Sequence, residues 1–145
     1  MSLGGFDTHD GLLARQPPLL AQVASALTGF QAAIDSLGLA PNVTAFTASD
    51  FGRTLTSNGD GLDHGWGSTH FVLGGAVKGA AFYGTPPQLV INGPDDVGQG
   101  RLLPSTAVDQ YAATLARWFG VSDTELPLVM PNLANYASRN LGFMA

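Results

Sequence analysis

The chain has 145 residues, no cysteine and a formal charge of −5, with Lys78 as its single lysine. That length suits one domain able to bury a core. The acidic balance excludes a sequence-independent nucleic-acid binder, which needs a basic face, and the lack of thiols leaves histidine and carboxylate as the available metal ligands.

No apolar run approaches the length of a membrane span, and the N-terminus lacks the basic segment and apolar stretch of a secretory signal, so no membrane partner is expected. Met1-Ser2-Leu3 reads as a vector-derived leader, and residues 4–145 as the protein proper. Gly4-Gly5-Phe6-Asp7-Thr8-His9-Asp10 follows with no strand before it, which suggests a piece of a longer protein. Asp7, His9 and Asp10 put three potential ligands within four positions after a glycine pair, a pattern suited to a strand end or an Asp/Gly turn.

Pro17-Pro18 suits a helix start. Leu20, Val23, Leu27, Phe30, Ile34 and Leu37 then recur at three- and four-residue spacing, predicting an amphipathic helix that packs on the core and ends at Gly38. Val43 to Thr47 reads as a buried strand. Ser49, Asp50 and Arg53 follow at its C-terminal end, where α/β proteins place ligands. The stretch to His70 reads as a long loop with a turn at Asn58-Gly59-Asp60-Gly61, then Asp63-His64. Trp66 argues for order within it, because a large aromatic seeks burial.

Phe71 to Tyr83 predicts a strand and then close backbone approach at its repeated glycines. Gln88 to Ile91 reads as a short edge strand, and Asn92 to Pro104 as a loop containing Arg101. Ser105 or Thr106 can cap a second helix with Val108, Tyr111, Leu115 and Trp118/Phe119 inward and Gly120 at its end. A short helix is expected from Asn132.

The chemically capable set is therefore Asp7, His9, Asp10, Asp50, Asp63, His64 and His70. It suits Zn²⁺ with mixed nitrogen and oxygen ligation, or Mn²⁺ or Mg²⁺ if carboxylates dominate. No compact metal motif of the His-Glu-x-x-His kind is present. A serine hydrolase using Ser49 or Ser68 with His64 lacks its Gly-x-Ser-x-Gly elbow. Gly98-x-Gly100 lacks the third glycine of a dinucleotide fingerprint, and no P-loop occurs. Arg53 and Arg101 each suit either an oxyanion clamp or a surface ion pair.

Five ordered motifs carry a resemblance: Gly4-Gly5-Phe6-Asp7-Thr8-His9; Ser49-Asp50-Phe51-Gly52-Arg53-Thr54; Asp63-His64-Gly65-Trp66-Gly67; Gly74-Gly75-Ala76-Val77-Lys78-Gly79; and Asp109-Gln110-Tyr111-Ala112 with Trp118-Phe119-Gly120. In this order they resemble the C-terminal part of a bacterial family known as domain of unknown function 1501, of the alkaline phosphatase and sulfatase-like superfamily. The resemblance implies an α/β fold, a three-layer α/β/α sheet domain of which this chain is the C-terminal portion. It also implies a bimetal hydrolase site for a small-molecule or polymer phosphate or sulfate ester. The metal would be Zn, or Mn, Mg or Ca.

One ion would take Asp7, His9 and His64, and a second Asp50. Arg53 would face the substrate anion, and Asp10, Asp63 and His70 would stand behind the ligands. Phe51 departs from the pattern, occupying the place of a histidine expected to bind the second ion. The nucleophile, and a further aspartate, would come from an N-terminal half that these motifs do not include, so the chain alone is expected to be inactive. Members of the family often look exported, which implies a periplasmic or extracellular parent. The alternative is a non-catalytic binding or structural module with a degenerate metal site.

Overall fold

A computed structural model describes residues 1–145. The chain runs α1 (Leu12–Ser36), β1 (Thr44–Phe46), β2 (Gly52–Ser57), β3 (Leu62–Gly65), β4 (Val72–Gly74), α2 (Val108–Phe119) and α3 (Leu126–Val129), with 3₁₀ turns at Ala40–Asn42 and Pro131–Asn135. The four strands form two antiparallel pairs. β1 lies beside β4, with Ala45 opposite Leu73, and β2 lies beside β3, with Arg53 opposite His64. This is an α/β chain in the general sense. No helix is long and apolar enough to cross a membrane.

α1 starts five residues before the expected prolines and carries Pro17 and Pro18 inside it. Its start is fixed from outside the helix. The Leu12 N–H donates to Asp60 O at 3.1 Å, and Gly11, in the left-handed region, hands its carbonyl to Ala14 and Arg15. That anchor outweighs the preference of proline for a first turn. The other end follows the sequence. Gly38 has φ +68°, Gly38 N–H reaches Asp35 O at 3.0 Å and Leu39 N–H reaches Ile34 O at 3.1 Å, the paired bonds of a Schellman motif.

The expected core role of α1 is not observed, because none of its residues is buried. Leu20, Phe30 and Leu37 are exposed, and Val23, Leu27 and Ile34 are only half-covered. Helical periodicity defines a face but does not supply what covers it.

β1 is shorter than the expected Val43–Thr47 strand and is half-buried, with Phe46 exposed. The loop expected between Asp50 and His64 is instead the β2–β3 hairpin, closed by the expected Asn58–Gly61 turn. Asn58 N–H donates to Gly61 O at 3.2 Å, and Gly61 N–H donates to Asn58 Oδ1 at 2.9 Å. Trp66, expected to be covered, is 64% exposed. β4 fulfils the strand expected after Phe71, and Gly75 then approaches the 3₁₀ turn so closely that a Cβ would lie 2.7 Å from the Ala40 carbonyl carbon. Gln88–Ile91 forms no strand. Its backbone is tied instead to the acidic loop that follows, Gln88 N–H donating to Asp95 Oδ2 at 2.7 Å.

The core sits at the C-terminal end of the chain. Ala113 of α2, Leu126 of α3 and Leu133 form a buried cluster, with Ala116, Val121 and Met130 packed on it. α2 is capped at Ala107 rather than Ser105 or Thr106: the Gln110 side chain accepts the Ala107 N–H at 2.9 Å. Its inner face is only partly the expected one, with Tyr111, Leu115 and Trp118 half-buried. Val108 and Phe119 are 74% and 84% exposed, whereas Gln110, Ala113 and Thr114 are buried.

Those polar residues tolerate burial because they are bonded. Gln110 Nε2 donates to Ser138 O at 2.7 Å, and Thr114 Oγ1 receives the Leu141 N–H at 2.9 Å. The tail from Pro131 forms a 3₁₀ turn and then returns to pair with residues 76–78, Lys78 N–H donating to Phe143 O at 2.8 Å. Tyr111 OH, donating to Thr47 O at 3.2 Å, ties α2 to the end of β1.

Candidate metal centre

The N-terminal arm, residues 6–12, lies across the β2–β3 hairpin. Leu62 N–H donates to Thr8 O at 3.2 Å, and Asn58 Nδ2 donates to His9 O at 3.1 Å. Gly61 permits this approach, because a Cβ there would stand 2.3 Å from the His9 carbonyl carbon. Arg53 supplies the third tie. Its Nη2 donates to Phe6 O and to Asp7 Oδ1, each at 2.7 Å, and its Nη1 donates to Leu62 O at 3.0 Å.

This crossing brings Asp7 and His9 of the arm against His64 of β3. Asp7 Oδ1 lies 3.1 Å from His9 Nε2 and 2.9 Å from His64 Nε2, and the two imidazole nitrogens are 3.1 Å apart. Three donor atoms of the correct type thus form a triangle with edges near 3 Å. Ligand atoms on a tetrahedral zinc with bonds of about 2.0–2.1 Å lie about 3.3 Å apart, so the triangle needs only a few tenths of an ångström of expansion to hold such an ion. Two imidazoles and one carboxylate also match the three-ligand composition of catalytic zinc sites, whose fourth position stays open. All three residues are exposed.

The electrostatics favour an ionised Asp7. The hydrogen bond from His64, then that from Arg53, hold its carboxyl below the ordinary range. Arg53 is only 17% exposed along its side chain, and its donors are directed at Asp7 and two carbonyls. Phe51 lies beside the cluster. Its ring stacks on the His64 imidazole, with centroids 3.8 Å apart and planes 12° apart, and the Arg53 guanidinium carbon is 5.2 Å from the Phe51 centroid.

Asp63 faces the other nitrogen of His9, its Oδ1 3.3 Å from Nδ1. Asn58 Nδ2 donates to the same Asp63 oxygen at 3.1 Å, and this bond, ahead of the one from His9, holds the Asp63 carboxyl below its ordinary range. The remaining residues of the expected set lie elsewhere. Asp50 is exposed in the β1–β2 loop, outside the Asp7/His9/His64 group. Asp10 pairs with Arg15. His70 Nδ1 sits 3.3 Å from Thr47 Oγ1, with its ring stacked on Tyr111, and burial lowers its pKa. Arg101 bonds to Gln99 and Gly98 in its own loop.

Two contributors escaped the sequence reading. Asn58 read only as a turn residue, and Phe51 only as a missing ligand. The Asn-Gly-Asp-Gly signal located the turn, but nothing in it indicated that the Asn58 amide would reach back to His9 and Asp63.

Compared with known families, residues 1–129 match the one described as "Protein of unknown function (DUF1501)". No curated protein and no solved structure matches the chain.

Proposed function

The chain belongs to the DUF1501 family, and from that premise we propose that Asp7, His9 and His64 hold a divalent ion, zinc first, in a phosphoester or sulfoester hydrolase-like centre. The convergence of Asp7 Oδ1, His9 Nε2 and His64 Nε2 within 3.1 Å of one another carries the reading. Bound there, such an ion would polarise a phosphoryl or sulfuryl oxygen.

The chain's own residues supply the rest. The hydrogen bonds from His64 and then Arg53 keep Asp7 ionised, and the positive charge of Arg53 lies next to the place where an anionic ester would approach. Asp50, exposed in the β1–β2 loop, is the candidate ligand for a second ion. In this reading the two small sheets and their helices belong to a three-layer α/β/α domain.

Phe51 favours a second reading, a binding or structural module that keeps the fold and one ion. A phenyl ring cannot ligate, and here it is committed to stacking on His64. Zinc titration of the metal-free chain, followed by calorimetry and elemental analysis, tests the centre. One equivalent should bind, and Asp7→Ala or His64→Ala should abolish it; unchanged metal content in both variants would refute the ligand assignment. Cleavage of aryl phosphates or aryl sulfates by the zinc-loaded protein separates the hydrolase from the module.

A further inference from the structure

Two imidazole nitrogens 3.1 Å apart, His9 Nε2 and His64 Nε2, cannot both carry a proton and still attract each other, so one must present a lone pair. The surroundings distinguish the two rings. His9 Nδ1 has a carboxylate oxygen, Asp63 Oδ1, at 3.3 Å in hydrogen-bond geometry, and its Nε2, although 3.1 Å from Asp7 Oδ1, makes only an ion-pair contact there without that geometry, whereas the hydrogen bonds of His64 run only through its Nε2, to His9 and to Asp7. A carboxylate accepts but does not donate, so it draws the His9 proton to Nδ1 and leaves Nε2 as the acceptor. The His64 proton then lies on Nε2, facing Asp7 Oδ1 at 2.9 Å.

Asp63 is itself held. The Asn58 amide donates to its Oδ1 at 3.1 Å and to the His9 carbonyl at 3.1 Å, tying the carboxylate and the backbone of the residue it faces to one side chain. The Asp63 N–H is anchored to Thr54 Oγ1 at 3.1 Å. Asp63 and His64 are neighbours in β3, so a single strand positions both the group that orients His9 and the ring that partners it.

We propose that Asp63, clamped by Asn58, is the positioning residue of this centre: it sets the His9 tautomer so that Nε2 is ready to ligate before any ion arrives. This rests on the metal reading above for its consequence, though not for its direct observation. Outer partners of this kind typically contribute 10- to 100-fold in metal affinity.

The test uses the full 145-residue chain and two readouts. In the metal-free chain, long-range ¹⁵N–¹H correlation spectra should show His9 protonated at Nδ1 and His64 at Nε2. Asp63→Ala should return His9 to the Nε2-protonated form preferred by free imidazole and weaken zinc binding about 10- to 100-fold in competition titrations. Asp63→Asn, which keeps an acceptor oxygen, should recover part of both, and Asn58→Ala should shift both in the same direction by less.

A His9 tautomer that is the same in the parent and in Asp63→Ala would overturn the proposal. So would an Asp63→Ala variant that loses thermal stability while zinc affinity stays within twofold. If Asp63→Ala does not fold, Asn58→Ala and Asp63→Asn decide by the same two readouts. Failure of the parent chain to bind zinc would count against the metal reading, while the metal-free spectra still decide the tautomer.

Discussion

Phe51 and His64 lie face to face, ring centroids 3.8 Å apart and planes inclined by 12°. A residue unable to bind metal is therefore the surface that fixes the plane of one that can. Aromatic stacks contribute roughly 0.5–1.5 kcal/mol beyond burial. Phe51→Ala should therefore weaken zinc binding about three- to tenfold, measured by competition with a chromogenic chelator, and Phe51→Tyr should leave it nearly unchanged.

Arg53 links the arm to the hairpin through Phe6 O, Asp7 and Leu62 O. Arg53→Ala strands the half-covered carbonyls of Phe6 and Leu62. A loss of about 1–3 kcal/mol in urea-unfolding free energy is expected from the unmet bonds. Arg53→Lys should recover little, because an ammonium cannot reproduce the planar fork.

Gly61 is the point of closest approach between turn and arm. Gly61→Ala should push the His9 backbone away, separating His9 from His64. The expected result is lost zinc affinity at least as large as that of Asp63→Ala, together with destabilisation of about 1–3 kcal/mol from overpacking. Near-parent affinity in a folded Gly61→Ala variant would contradict the described crossing.

Acid should destabilise the fold in two steps. Burial lowers the His70 pKa, so the folded chain binds fewer protons there than the unfolded one. That contribution is complete above the unfolded value near 6.5 and declines as pH falls below it. Asp7 and Asp63 are likewise depressed, by their hydrogen bonds, so their contribution is present above about 4 and declines as pH falls toward their folded values. Urea midpoints measured from about pH 8 to pH 2 should show both limbs. His70→Gln should flatten the first, and Asp7→Asn the second.

The residues alone offered seven candidates, Asp7, His9, Asp10, Asp50, Asp63, His64 and His70; the grouping of Asp7, His9 and His64 came from the family resemblance, and the structure brings these three together. Asp7-Thr8-His9 and Asp63-His64 announced themselves, and the arm-to-hairpin crossing that joins them follows from Gly61, whose role is visible only in three dimensions. β2 was not legible. Gly52-Arg53-Thr54-Leu55-Thr56-Ser57 offers no apolar alternation, since the strand is held by pairing with β3 and by bonds such as Thr54 Oγ1 to Thr56 O at 2.8 Å, not by an apolar face. The face of α2 was misread for a related reason. Period 3.6 told which residues align, while the hydrogen bonds of Gln110 and Thr114 to the tail decided which ones went inside.

The uncovered face of α1 has a calorimetric consequence. Heat capacity of unfolding comes mainly from apolar surface passing into water, usually about 12–15 cal/mol/K per residue. A 25-residue helix whose leucines and phenylalanine already meet solvent adds little to that increment. The chain should therefore melt with an unusually flat stability curve and a shallow dependence on urea, and any partner that covers α1 should steepen both.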